Sequence, residues 1–324
     1  YTSSSEAIRE AFKLKHLPAK VVQTILSSLS AATIRQYGVT YKLWWPFCEK
    51  KSISPYDGTP ALVMDFLQHL FDIGKNSYGS FNSHRSALAL ILSTDLAGHP
   101  VLSRFLKGIS KLRPQKPRYN VTWDPQLVLN FLEQRESSTL QALSEKLITL
   151  LALSTAHRMQ TFSLIRLRNI LESSTGFQIL IEDQIKTSGP GRKQPCLNLP
   201  FFVENPRLCV ATTLKRYLAA TKEHRTSNMD FLFITFKKPH RTASRQTLSR
   251  WVKDTLDAAG VNTLIFKAHS TRHASTSKAW QLGVPIEVIQ QTAGWTENSK
   301  VFCNFYNRPL SQSNTFATTI LSSK

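Results

Sequence analysis

In Ala268-His-Ser-Thr-Arg-His-Ala274, His269 and Arg272 stand three residues apart, a spacing that puts both on one face of a helix. A guanidinium there offers a two-pronged fork for the free oxygens of a phosphate, and an imidazole can hold or move a proton. On its own, His-x-x-Arg is common by chance and suits a solvated helix face equally well. Two downstream aromatics narrow the choice: Trp295 comes 23 residues after Arg272, and Tyr306 comes 11 after Trp295. A tyrosine hydroxyl can attack phosphorus, although Tyr306 also shares a helical stripe with Phe302 and Phe305 in the manner of a core aromatic. Upstream, Ser154-Thr-Ala-His-Arg158-Met-Gln-Thr-Phe-Ser-Leu164 supplies a second arginine. Between the two, Gln184-Ile-Lys186-Thr-Ser-Gly-Pro-Gly-Arg-Lys193 carries Lys186 and Lys193 on either side of a turn signal. His273 is expected to point off the face shared by His269 and Arg272, and Cys303 has no His/Asn arrangement to make it a nucleophile.

These groups must be carried by helices with a small sheet among them. Residues 5–115 read as a run of short helices. Residues 30–47 open on a Ser/Thr cap and carry Ile34, Tyr37, Tyr41, Trp44 and Trp45 at helical spacing. Pro60 introduces 61–71, and further helices are expected at 77–95 and 101–111. Residues 112–119 hold two prolines and three basic side chains, which disfavours helix and marks an interdomain linker. Beyond it, 125–134, 140–154 and 162–167 look helical. Residues 177–182 look like a strand that Lys186 terminates, within a hairpin spanning 174–199. Helix returns at 214–221, 245–259, 269–282, 285–292 and 315–321. The expected fold is mainly α with a small antiparallel β-sheet, in two domains: residues 1–115, helical, and residues 116–324, carrying the chemistry.

Charge names the partner. With 41 Lys and Arg against 21 Asp and Glu, the chain carries +20 and a pI near 10.0. Residues 1–116 hold 15 basic and 7 acidic side chains (+8), and the rest hold 26 and 14 (+12). Both halves are therefore expected to touch a polyanion, as a clamp rather than a basic tail on a neutral core. Cys48, Cys196, Cys209 and Cys303 lie far apart, which suits neither a zinc ribbon nor a disulfide scaffold. No metal and no cofactor is expected, since neither an Asp/Glu cluster nor a phosphate-binding glycine loop is present. No apolar run reaches a membrane span, and whether a segment precedes Tyr1 is left open.

The order Arg158, Lys186, His269, Arg272, Trp295, Tyr306 resembles the catalytic pattern of the tyrosine recombinases. The stretch around Arg158 looks like the family's first box, with Thr161 where an acidic residue often stands. The stretch from His269 looks like its second, with the gap from Trp295 to Tyr306 one or two residues longer than is common. Within the family, Lys186-Thr-Ser-Gly-Pro-Gly-Arg, Trp295 in place of histidine, and Phe305-Tyr306-Asn-Arg-Pro309 resemble recombinases of eukaryotic DIRS, Ngaro and Crypton elements. The resemblance implies a helical core-binding domain followed by a catalytic domain. It implies attack by Tyr306 to leave a 3′-phosphotyrosine, Arg158 and Arg272 on the equatorial oxygens, and His269 sharing the tyrosine proton. Lys186, with Lys193 as its rival, would protonate the leaving oxygen while Trp295 orders the pocket. It also implies double-stranded DNA as partner, four protomers on two duplexes, no small-molecule ligand or membrane, and nuclear action. A catalytically inactive DNA-binding protein and a type IB topoisomerase-like enzyme remain as alternatives.

Overall fold

Helix caps decide where most elements begin. The computed structural model describes residues 1–74, 76–114, 118–189 and 191–310. The chain forms two units, Tyr1–Lys116 and Pro117–Lys324. The first contains α1 (Ser4–Leu14), α2 (Ala19–Ser27), α3 (Ala31–Lys50), α4 (Pro60–Ile73), α5 (Tyr78–Ile91) and α6 (Pro100–Leu112). Ser3, Ser30 and Thr59 each accept a hydrogen bond from a backbone N–H of the first turn they precede, and prolines open α4 and α6 where no amide is needed. α3 continues through Pro46 to Lys50, beyond the end at residue 47 that the sequence implied. The core of this unit is aromatic, with Tyr41, Trp44, Phe66 and Phe81 buried among Ile8, Leu67 and Leu88.

The second unit is built around α8 (Leu140–Thr155), whose Leu147, Ile148, Leu151 and Ala152 are buried. α7 (Pro125–Gln134), capped by Asp124, and α9 (Met159–Ser163) flank it in sequence. α10 (Val210–Thr221), α11 (Arg245–Ala258) and α12 (Ser270–Gln281) pack on α8, and α13 (Ile286–Thr292) packs on α12. The sheet has three antiparallel strands in the order β1 (Ile170–Ser173), β2 (Gly176–Leu180), β3 (Cys196–Pro200), with Ile170 opposite Ile179 and Phe177 opposite Leu199. β1 lies before the segment the sequence marked as sheet. β2 ends at Leu180, so Lys186 does not terminate a strand: it sits in a turn of the loop joining β2 to β3. Ile179 and Ile181 are fully buried beside β3, and the polar run from Glu182 leaves the sheet because it has nothing apolar to bury. The expected helix over 315–321 lies outside the described residues. No described helix is long and apolar enough to cross a membrane.

Candidate active site

α12 is unusual for a helix inside a core, because Ser270, Thr271, Arg272, His273, Thr276 and Ser277 are all buried. Polar groups tolerate burial only when partnered, and most of these are. Ser270 Oγ accepts from Trp123 Nε1 at 2.9 Å, while Thr271 and Thr276 hydroxyls donate to Ala268 and Arg272 carbonyls. Ser277 Oγ donates to the Tyr306 carbonyl at 2.8 Å and accepts from Arg308 N at 3.0 Å. That carbonyl is available because the π-helical turn Phe302–Tyr306, closed by Asn307 N donating to Phe302 O five residues back, ends there. The turn points Phe302 and Tyr306 inward and leaves Phe305 at 53% exposure, so the expected stripe joining Phe305 to Tyr306 does not form.

Tyr306 reaches His269 across 37 residues of sequence. His269 immediately precedes α12, and its Nε2 lies 2.9 Å from the Tyr306 hydroxyl oxygen. In the tautomer that leaves Nε2 bare, the phenol donates to it. Burial, and then the positive charges of Arg272, Arg158, Arg118 and Lys186, lower the His269 pKa to about 4. The imidazole is therefore neutral at pH 7 and able to accept the proton.

Arg272 is fully buried. Nη1 donates to the Ala156 carbonyl, but Nε and Nη2 have no partner among the described residues. Its guanidinium carbon lies 4.1 Å from the Trp295 ring centroid and 5.2 Å from that of Tyr306. Burial, followed by the nearby charge of Arg158, lowers its pKa to about 9, and it stays cationic at neutral pH. Two donors without partners among the described residues, on one planar cation, suit a pair of phosphate oxygens, whose negative charge would offset the two neighbouring positive ones. Ala156, which supplies the carbonyl, ends α8 in the left-handed region at φ 50°, an uncommon setting for a residue with a side chain. Trp295 packs beside Tyr306 with ring centroids 4.9 Å apart, and its indole N–H is also buried without a partner among the described residues.

Arg158 immediately precedes α9 and is half-buried, and its charge is felt by both Arg272 and His269. Thr161, in the place where an acid often stands, is buried. Lys186 is exposed, but the chain leading into it is anchored at two points. Lys186 N donates to Gln160 Oε1 at 3.1 Å, and three residues earlier Asp183 takes a two-pronged bond from Arg166 at 2.6 and 2.9 Å. The Arg166 hydrogen bond holds the Asp183 carboxyl below its usual range. The charge of Lys186 helps to lower the His269 pKa.

The expectation that His273 points off the working face is corrected by the structure. His273 lies flat against the Tyr306 ring, centroids 4.2 Å apart and 23° from parallel. Position i+4 from His269 shares its helix face as fully as the i+3 position taken by Arg272, so the spacing contained this signal. His157 joins the site without having been singled out by its sequence: it is buried, its pKa lowered to about 4 by burial and then by Arg272 and Arg158. It packs against Gly294, at φ 64°, where an added Cβ would come within 3.0 Å of the imidazole. Arg118 also stands near enough to act on His269 and His273.

A mostly helical unit with a three-stranded antiparallel sheet, closing on a tyrosine, is the fold of tyrosine recombinase catalytic domains. Residues 125–313 match the phage integrase family, and the chain belongs to that family. Among solved structures it is similar to the XerH site-specific recombinase bound to palindromic difH substrate in a post-cleavage complex: TM-score 0.62, 17% identity, 94% of this chain and 84% of that one. It is similar to the Tn1549 transposon integrase in complex with circular intermediate DNA: TM-score 0.55, 13% identity, 100% of both chains. It is also similar to a lambda integrase tetramer bound to a Holliday junction: TM-score 0.52, 16% identity, 88% of this chain and 75% of that one. At these identities the likeness is one of fold. No curated protein sequence matches the chain.

Proposed function

We propose that this protein is a site-specific DNA recombinase that cuts and rejoins duplex DNA through a covalent link at Tyr306. The observation that carries this reading is the Tyr306 hydroxyl, 2.9 Å from a neutral histidine and beside a fully buried arginine with two free donors among the described residues. The Tyr306 oxygen attacks phosphorus as its proton passes to His269. The bond from phosphorus to the 5′ oxygen breaks, leaving a 3′-phosphotyrosine and a 5′-hydroxyl. Arg272 and Arg158 offset the charge that develops on the equatorial oxygens, and Lys186 gives its proton to the departing oxygen. Rejoining reverses these steps with a 5′-hydroxyl as nucleophile, and the covalent link conserves the phosphodiester's energy.

The +20 charge supports double-stranded DNA as the partner, and residues 1–116 serve as the core-binding half of the grip. The likeness to lambda integrase on a Holliday junction supports four protomers on two duplexes, and the likeness to a transposon integrase supports a mobile-element origin. The sequence resemblance to eukaryotic elements supports action in the nucleus.

The test is adduct formation on nicked suicide DNA. The wild-type protein should trap the 3′ end covalently, and Tyr306→Phe should abolish the adduct while duplex affinity stays within a few-fold, since one hydroxyl adds little to phosphate affinity. An adduct that survives Tyr306→Phe refutes the assignment. DNA binding without any adduct favours the inactive DNA-binding alternative. Adducts without crossing-over between two duplexes favour the topoisomerase.

A further inference from the structure

The proposed chemistry uses one side of the Tyr306 environment and leaves the other without a role. His269 meets the hydroxyl, Arg272 and Trp295 line one flank, and His273 covers the ring itself. Only 7% of His273 is exposed, and its Nδ1 makes no hydrogen bond among the described residues, so its contact with Tyr306 is made by the flat of the imidazole. Tyr119 also meets His273, edge-on, with centroids 5.1 Å apart and planes 86° apart. Tyr119 is itself fixed. Its hydroxyl accepts from Lys267 N at 3.4 Å, and its carbonyl accepts from Arg308 Nε at 2.9 Å. A chain of contacts thus runs from a braced Tyr119 through His273 to Tyr306. Burial, and then His269, Arg308, Arg272 and Arg118, keep the His273 ring uncharged, which spares the pocket another cation beside Arg272.

We propose that His273 is a positioning residue: a flat plate, braced by Tyr119, that fixes the Tyr306 ring so that its oxygen stays on His269 Nε2 and faces Arg272. This rests on the reading of Tyr306 as nucleophile. A phenol otherwise turns about two side-chain bonds, and an attacking atom misplaced by about 1 Å can cost on the order of 100-fold in rate. The plate acts on the free tyrosine. Once Tyr306 is bonded to phosphorus, the bond itself holds the oxygen, so the plate matters for cleavage and little for religation.

The experiment compares His273→Leu and His273→Phe in the full chain. Single-turnover adduct formation should slow roughly 10- to 100-fold in His273→Leu and stay near wild type in His273→Phe, which keeps a flat ring. Duplex affinity should stay within a few-fold in both, and religation from the trapped adduct should be unchanged. The proposal is overturned if His273→Leu cleaves at the wild-type rate, if His273→Phe falls as far as His273→Leu, or if religation slows as much as cleavage. A readout independent of turnover is the ring-current shift of labelled Tyr306 in the free protein. It should change in His273→Leu, where only the rings of Trp295 and His269 remain, and stay near wild type in His273→Phe, and equal spectra for the two variants also overturn the proposal. Failure of the nucleophile reading shows separately, as an adduct that persists in Tyr306→Phe.

Discussion

The two units each contain an aromatic cluster, and the clusters differ in how their polar atoms are treated. In the first, the Tyr41 hydroxyl donates to the Ala87 carbonyl, Trp44 Nε1 donates to the Pro55 carbonyl, and His84 Nδ1 pairs with Thr40 Oγ1 at 2.9 Å. In the second, Arg272 Nε and Nη2, His273 Nδ1 and Trp295 Nε1 stand without partners among the described residues around Tyr306. Among the described residues, every buried side-chain nitrogen or oxygen without a partner lies in the second unit. Burying such groups costs free energy that a structural cluster avoids. The first cluster is built for the fold alone. The second leaves donors without partners among the described residues, and under the proposed function a phosphate would supply what they lack.

That contrast can be broken by substitution. Trp44→Ala removes a fully buried indole and should cost the first unit about 3–5 kcal/mol, read as lost hydrogen-exchange protection across α3 to α5. Arg272→Met should act in the opposite sense. Single-turnover cleavage should fall about 10²–10³-fold, on the order of 3–4 kcal/mol in the barrier, while thermal stability of the free protein holds or rises as an uncompensated buried charge is removed. If Arg272→Met destabilises the free protein as Trp44→Ala does, the two clusters are not different in kind.

Acid should weigh more on the second unit, with three histidines of lowered pKa, than on the first, where burial lowers the pKa of His84. His157, His269 and His273 have pKa values lowered to about 4, 4 and 3, from 6.5 in an open chain. On acidification the unfolded chain binds protons that the folded rings refuse, so stability rises with pH between about 4 and about 6.5 and is fully present above it. Replacing one of the three, as in His157→Gln, should flatten that slope by at most one proton, about 1.4 kcal/mol per pH unit. Urea unfolding across this pH range is the measurement, and an unchanged slope would show that the ring is not buried neutral. The smallest effect belongs to Ser277→Ala, which loses the hydroxyl linking the Tyr306 carbonyl to Arg308 N and should lower stability by about 1 kcal/mol in thermal unfolding.

How much of this was legible in the sequence depends on which interactions are local. A Ser/Thr cap announced α3 and a leading proline announced α4, because cap chemistry is settled within four residues. His269, Arg272 and Tyr306 could be picked out as residue types at a spacing, and the fold brings them together. His273 belongs to the same helix face at i+4, yet the i+3 pair of His269 and Arg272 drew attention from it because that pair alone matches a phosphate-binding pattern. His157 and Arg118 carry no local signal, since their nearness to the site depends on contacts made across the unit. The departure of the chain after Leu180 was also hidden, because an apolar Ile181 next to polar residues reads as continued alternation until the neighbouring strand is known.

The π-helical turn before Tyr306 has a consequence for how the chain tolerates changes in length. A π turn holds one residue more than an α turn between the same two hydrogen-bonding levels. From Trp295 to Tyr306 the chain runs 11 residues, and the π turn carries one of them as a bulge at exposed Cys303 and Asn304. A single-codon deletion at either position would let the turn relax to α-helix and return Tyr306 to the same angular phase towards Arg272. A single-codon insertion has no such outlet and would rotate the tyrosine out of the pocket. The segment therefore has a one-sided allowance for insertions and deletions, and the tyrosine can keep its bearing while the spacing around it drifts.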